Sequence, residues 1–140
     1  MRQGEDLCTS TVTQALVAEY CRRGLLEQHL ARMIPHYAAK CAAMERGLAR
    51  HVREGSAEYA VPDGGFFFWL RMPGRESLQL FREAVEEKVA FVPGAAFYPG
   101  AEEQVGDVRK GPEYARLCFT FANDEQIDEG CRRLGRVLAR

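Results

Sequence analysis

Apolar residues fall at helical spacing in the first half of the chain and in short runs and alternations in the second. From Thr11 to about Cys21, Val12, Ala15, Leu16 and Tyr20 recur on one face of a predicted amphipathic helix. Thr9 or Ser10 can cap its start, and Gly24 ends it. From Leu26 to Leu48 the positions Leu26, Leu30, Met33, Tyr37, Cys41, Met44 and Leu48 step by three or four residues, giving roughly six turns of a long helix an apolar stripe that must pack on something. Pro35 interrupts it. A proline inside a helix forfeits a hydrogen bond at a cost of about 3 kcal/mol, which predicts a kink or a break near Arg32 to Ile34.

After a loop at Glu54-Gly55-Ser56, the period changes. Gly65 to Leu70 reads Gly-Phe-Phe-Phe-Trp-Leu, too short for a stable helix and apolar on both faces, as in a strand covered on both sides. The preceding Pro62-Asp63-Gly64-Gly65 is turn chemistry. Ser77 is placed to cap a helix carrying Leu80, Phe81, Ala84 and Val85, and a short strand at Ala90 to Val92 is stopped by Pro93-Gly94. The polar stretch from Gly100 to Pro112 reads as an exposed, mobile loop. Ala115 to Phe121 then alternates, with Leu117, Phe119 and Phe121 on one face and Arg116, Cys118 and Thr120 on the wetter one. Asn123 and Gln126 form a capping box for a last helix that buries Ile127, Cys131, Leu134 and Leu138.

This order predicts one α+β domain over residues 1–140: a small mixed or antiparallel sheet of three to four strands covered by helices, with a long kinked helix near the N-terminus. A chain of 140 residues, about half apolar, buries roughly two thirds of its unfolded surface, enough for one core. Nineteen basic residues against twenty acidic ones leave a formal charge of −1, and no excess field draws nucleic acid or an anionic membrane. The longest apolar run, Phe66 to Leu70, falls far short of the ~20 residues of a membrane span, and no signal peptide is evident, so a cytoplasmic protein is expected.

The five cysteines, Cys8, Cys21, Cys41, Cys118 and Cys131, are odd in number and lack a Cys-x-x-Cys pair. That argues against a disulfide framework and a zinc site, and predicts reduced thiols that are mostly buried. His29 and His36 are two helical turns apart, about 10 Å, too far to share one ion, so no metal site is expected. The Phe66 to Trp69 run is more simply a core strand than a platform for RNA bases. Arg132, Arg133, Arg136 and Arg140 fit the solvent side of the last helix.

Four segments carry a resemblance. They are Gln3-Gly4-Glu5-Asp6-Leu7-Cys8-Thr9-Ser10 with Gln14; Pro62-Asp63-Gly64-Gly65-Phe66-Phe67-Phe68-Trp69; Val89-Ala90-Phe91-Val92-Pro93-Gly94 with Phe97; and Arg116-Leu117-Cys118-Phe119-Thr120-Phe121. In this order and at these spacings they resemble the C-terminal small domain of class I/II, fold type I, pyridoxal-phosphate-dependent aminotransferases. The similarity is greatest to the aminoadipate and aromatic aminotransferase branch, which also includes the aminotransferase-like half of MocR-type regulators. Cys118 stands where the family usually has asparagine, and Ile34-Pro35 replaces a commonly basic stretch.

The resemblance implies that Arg116 holds the α-carboxylate of the substrate. A guanidinium suits that task because its two parallel donors grip a carboxylate as a fork. It places a turn over Phe91 to Gly94 near the mouth of the site, with a structural role and no chemistry. It implies a parent enzyme, homodimeric, that moves an amino group between an amino acid and a 2-oxo acid with pyridoxal phosphate. The Schiff-base lysine, the acid facing the pyridine nitrogen and the phosphate-binding groups belong to a large domain that this chain does not contain. Lys40, Lys88 and Lys110 match no Schiff-base motif, so no catalytic or cofactor-binding residue is assigned, and the polypeptide alone is expected to be inactive. Apolar surface that the large domain would cover is expected to stand exposed, favouring self-association. Two alternatives remain: the effector-sensing domain of a MocR-type regulator with a separate DNA-binding domain, and a non-catalytic interaction module.

Overall fold

The computed structural model describes residues 10–98 and 112–140. Thr9, Cys8, the Gln3 to Thr9 part of the first motif, Lys110 and the predicted loop over 100–111 lie outside the described residues. The elements are α1 (Thr11–Arg22), α2 (Leu25–His51), β1 (Glu58–Tyr59), β2 (Phe67–Arg71), α3 (Ser77–Glu86), β3 (Val92–Pro93), a 3-10 turn (Gly94–Phe97), β4 (Tyr114–Cys118) and α4 (Asp124–Leu138). The strands form one sheet in the order β1-β2-β4-β3, antiparallel at every pairing. The α+β class therefore holds, with an antiparallel rather than a mixed sheet. The chain divides into two compact units, Met1–His36 and Tyr37–Arg140.

In the first unit, α1 starts after Ser10, whose side chain makes no capping bond, and is followed by Gly24 in the left-handed region at φ +68. None of its residues is buried. Val12 and Leu16 are 68% and 67% exposed, and Leu30 and Ile34 of α2 also face outward. The apolar stripe expected on these turns is present but uncovered among the described residues. Pro35 lies inside α2 without ending it, so of the kink or break expected there the break does not occur. One missing N–H bond in a helix of 27 residues leaves the bonds on either side to hold the backbone.

The second unit holds the core. Phe68 and Leu70 of β2 and Ala115 and Leu117 of β4 project from one face of the sheet. They pack with Met44 and Leu48 of α2, Leu80 and Ala84 of α3, and Ile127, Cys131, Leu134 and Val137 of α4. Two glycines allow α2 and α4 to approach closely. A Cβ on Gly135 would lie 2.1 Å from the carbonyl oxygen of His51, and one on Gly47 would lie 2.9 Å from Cys131 Sγ. Beside this contact His51 Nε2 lies 3.1 Å from Asp128 Oδ1. The capping box forms as expected: Gln126 N donates to Asn123 Oδ1 at 2.9 Å, and Asn123 N donates to Gln126 Oε1 at 3.0 Å.

Several local expectations are corrected. The cap of α3 is Glu76, whose carboxylate accepts from Leu78 N and Gln79 N; Ser77 is the first helical residue and is buried. The third strand is Val92–Pro93 rather than Ala90 to Val92, because Phe91 turns inward against Phe81 while Val92 and Pro93 pair with Arg116 and Ala115. Pro93 is tolerated because β3 is an edge strand. The alternation after Ala115 stops at Cys118. Phe119 is still buried, but the chain then bends toward its cap at Asn123 and leaves Phe121 99% exposed instead of in the core. The strand β2 is covered on one face only: Phe67 is exposed, and Trp69 and Arg71 are half-buried.

Two stability measurements follow. Gly135→Ala, which forces a methyl into backbone, should cost about 3 kcal/mol in urea unfolding, at the upper end of overpacking effects. Gly130→Ala, on the same helix but with open space around it, should gain up to about 1 kcal/mol from helix propensity. Equal stability of the two variants would contradict the close contact. Hydrogen bonds from Arg132 and Arg133 hold the Glu129 carboxyl at about 2, below its ordinary 4.5. The stability this contributes is present above the unfolded-state value and lost as pH falls through the folded one. The gap in urea midpoint between wild type and Glu129→Gln should therefore close from about pH 5 to about pH 2.

Candidate functional site

The face of the sheet turned away from the core is lined by Phe67, Trp69 and Arg71 of β2, opposite Cys118, Arg116 and Tyr114 of β4. The register places Trp69 on one side of Arg116 and Val92 on the other. The guanidinium carbon of Arg116 lies 4.1 Å from the centroid of the Phe67 ring and 4.7 Å from that of Phe97. Phe67 reaches it diagonally from the next strand, and Phe97 comes from the end of the 3-10 turn. Phe97 is braced edge-on by Trp69 at 5.4 Å, and Trp69 in turn stacks on Tyr114 at 5.6 Å.

Several of the described arginines are held by carboxylates. Arg71 pairs with Glu58 and Glu113, Arg132 and Arg133 with Glu129, and Arg136 and Arg140 with Glu87. Among the described residues Arg116 has no ion pair, and its Nε is shielded from solvent with no hydrogen-bond partner. Leaving such a donor unmade costs roughly 1–3 kcal/mol. Each ring face returns about 0.5–2 kcal/mol. The arrangement is a half-buried cation that rings hold and that no acid among the described residues neutralises, which suits an anion with in-plane acceptors.

The remaining chemistry lies elsewhere. Lys40 Nζ donates to the carbonyl of Ala122, and Lys88 closes α3 at φ +58, its own carbonyl accepting from Arg133. Neither touches Arg116 or makes a phosphate cradle with it. A groove of about 450 Å³ between α2 and α4 is lined by Arg46, Arg50, Asp124 and Asp128, among others, and its charges answer one another, as in the 3.2 Å Arg50–Asp128 pair. It contains none of the residues around Arg116. No group of three or more potential metal ligands occurs among the described residues, and none of their helices is long and apolar enough to cross a membrane.

The sequence placed Arg116 on a wet strand face, and the structure puts it there. It did not reveal Phe67 and Phe97 as the groups that hold it. Phe67 could have been found from the β2–β4 register, whereas nothing local announces Phe97.

The profile of the aminotransferase class I and II family matches residues 2–134. The chain belongs to that family. Among aminotransferases with curated descriptions, it is 39% identical to the 2-aminoadipate transaminase of Thermus thermophilus and 33% identical to aromatic-amino-acid aminotransferase 1 of Thermococcus litoralis. Each match covers 98% of this chain, and 32% and 31% of those proteins respectively. The crystal structure of Pyrococcus horikoshii kynurenine aminotransferase, in complex with PMP, superposes at a TM-score of 0.85 with 32% identity, over 98% of this chain and 32% of that one. The chain thus spans about a third of the length of these relatives. It is also 25% identical, over 95% of its length and 26% of the other protein, to the uncharacterized HTH-type transcriptional regulator YdfD of Bacillus subtilis.

The cysteines of this aminotransferase chain depart from expectation. Of the four described, Cys21 and Cys118 are exposed, Cys41 is intermediate and only Cys131 is buried. Cys118 falls on the outer face because its neighbours in the alternation, Leu117 and Phe119, take the inner one. Burial pushes the Cys131 thiol up to about 11, with the charge of Asp128 adding to it. Iodoacetamide at about pH 8 should label Cys21 and Cys118 in the folded protein and Cys131 only on unfolding. Peptide mass mapping reads this directly, and equal rates at Cys118 and Cys131 would refute the placement.

Proposed function

We propose that the whole chain, residues 1–140, is the C-terminal small domain of a pyridoxal-phosphate-dependent aminotransferase, and that Arg116 binds the α-carboxylate of its substrate. The parent enzyme moves an amino group between an amino acid and a 2-oxo acid. One observation carries the assignment of the residue: the Arg116 guanidinium is half-buried between two rings and has no acidic partner among the described residues. A carboxylate supplies the missing charge and acceptors for the guanidinium donors that are not shielded, and a rigid strand fixes where the substrate carbon will lie.

No cofactor-binding residue is assigned to this chain in this reading. Lys40 is engaged by the Ala122 carbonyl, and Lys88 lies at the end of α3. In this reading pyridoxal phosphate, its lysine and its phosphate-binding groups belong to the large domain, and no catalytic step is assigned to this chain. Its work is to orient substrate and to close over it, as part of a cytoplasmic homodimer with no nucleic-acid or membrane partner. The isolated chain has no transaminase activity.

The similarity to YdfD supports a second reading, in which the same fold senses an effector in a MocR-type regulator and Arg116 grips the carboxylate of that effector. A helix-turn-helix segment encoded in the same reading frame would favour it.

In the full-length enzyme that carries this chain, Arg116→Ala should raise KM for the amino acid by at least about 30-fold, the lower range for breaking a shielded charge pair. Cofactor content, read from its absorbance, should not change. Arg116→Lys should recover only part of the loss, because an ammonium cannot reproduce the fork. Unchanged kinetics in Arg116→Ala would remove the assignment.

A further inference from the structure

We infer that Phe97 is a positioning residue for Arg116: together with Phe67 its ring fixes the plane of the guanidinium and leaves the in-plane donors to a carboxylate. The inference rests on the proposed role of Arg116 and adds the device that orients it.

An arginine side chain has many rotamers, and something must select one if the fork is to meet its ligand ready-made. Hydrogen bonds and ion pairs do this for Arg71, Arg132 and Arg133. Arg116 has neither among the described residues; what it has is a ring at 4.1 Å and another at 4.7 Å. The difference matters chemically. An acid or carbonyl would orient the guanidinium by consuming the donors that a carboxylate ligand needs. A ring face takes the π surface instead and spends none of them.

Burial does not explain the placement of Phe97, whose side chain remains 40% exposed. The structure delivers it by other means. Val92 of β3 is registered against Arg116 itself, Gly94 is buried at the start of the 3-10 turn, and Trp69, directly across from Arg116, braces the Phe97 ring edge-on. The short strand, the turn and the tryptophan converge on one ring over one cation. Phe67 completes the clamp, but it lies in the central β2–β4 pairing, so Phe97 is the ring that can be altered with least risk to the sheet.

The test uses the full 140-residue chain, propionate as the carboxylate probe, and the Arg116 Nε–Hε resonance in nitrogen-edited NMR. In the wild type that resonance should be shifted upfield by ring currents and slow to exchange, and should move on titration with propionate. In Phe97→Leu, which keeps apolar bulk without a π face, it should move downfield and exchange faster, and the Kd for propionate should rise about three-fold or more. Phe97→Tyr should restore all three readings. Arg116→Gln serves as reference and should abolish the propionate response. If Phe97→Leu keeps the wild-type resonance and affinity while Arg116→Gln loses binding, the clamp is wrong and the anchor stands. Undiminished binding in Arg116→Gln would overturn both.

Discussion

The carbonyl oxygen of His51 occupies the space where a side chain at position 135 would begin. With no Cβ at Gly135, and none at Gly47, α4 can lie against the end of α2 at backbone distance. The pair then presses Leu48, Cys131, Leu134 and Val137 onto one face of the sheet as a single layer. Helices thicker by a methyl group at that crossing would stand away from the strands and open voids beneath Phe68 and Leu117, which are buried there. Because the helices complete the core on that face, the other face is left to carry polar and aromatic side chains.

Register converts this asymmetry into a site. Phe68 faces Leu117 and Leu70 faces Ala115 on the core side; Trp69 faces Arg116 and Phe67 faces Cys118 on the other. A slip of one residue between β2 and β4 would exchange the two sets and drive the Arg116 cation into hydrocarbon, so the packing of the core and the placement of Arg116 are one constraint. At the far end Arg71 pairs with Glu113, just before β4, and with Glu58 across the β1–β2 register.

Much of this was legible from residue order. Periodicity marked all four helices, the Asn123 and Gln126 spacing announced its capping box, and the alternation around Arg116 put that residue on the outer face. The failures share a cause, which is that the deciding contact comes from outside the segment. The two residues of β1 have no period of their own and exist because β2 offers them a partner. Phe121 continues an alternation that its backbone abandons when the chain bends toward Asn123. Glu76 displaced Ser77 as a cap because its carboxylate reaches two amides at once. Phe97 gained its role from a strand pairing and a tryptophan distant in sequence. The family resemblance, by contrast, was carried by short motifs whose spacing survives without any knowledge of contacts.

The outer edge of the sheet carries a quieter consequence. β3 is two residues long and one of them is Pro93, so an extended chain approaching from that side meets at most one amide hydrogen. An open margin of this kind is where strands of neighbouring molecules commonly add and seed fibrils. Here the proline that helps set the turn toward Phe97 also denies such a newcomer a ladder to climb.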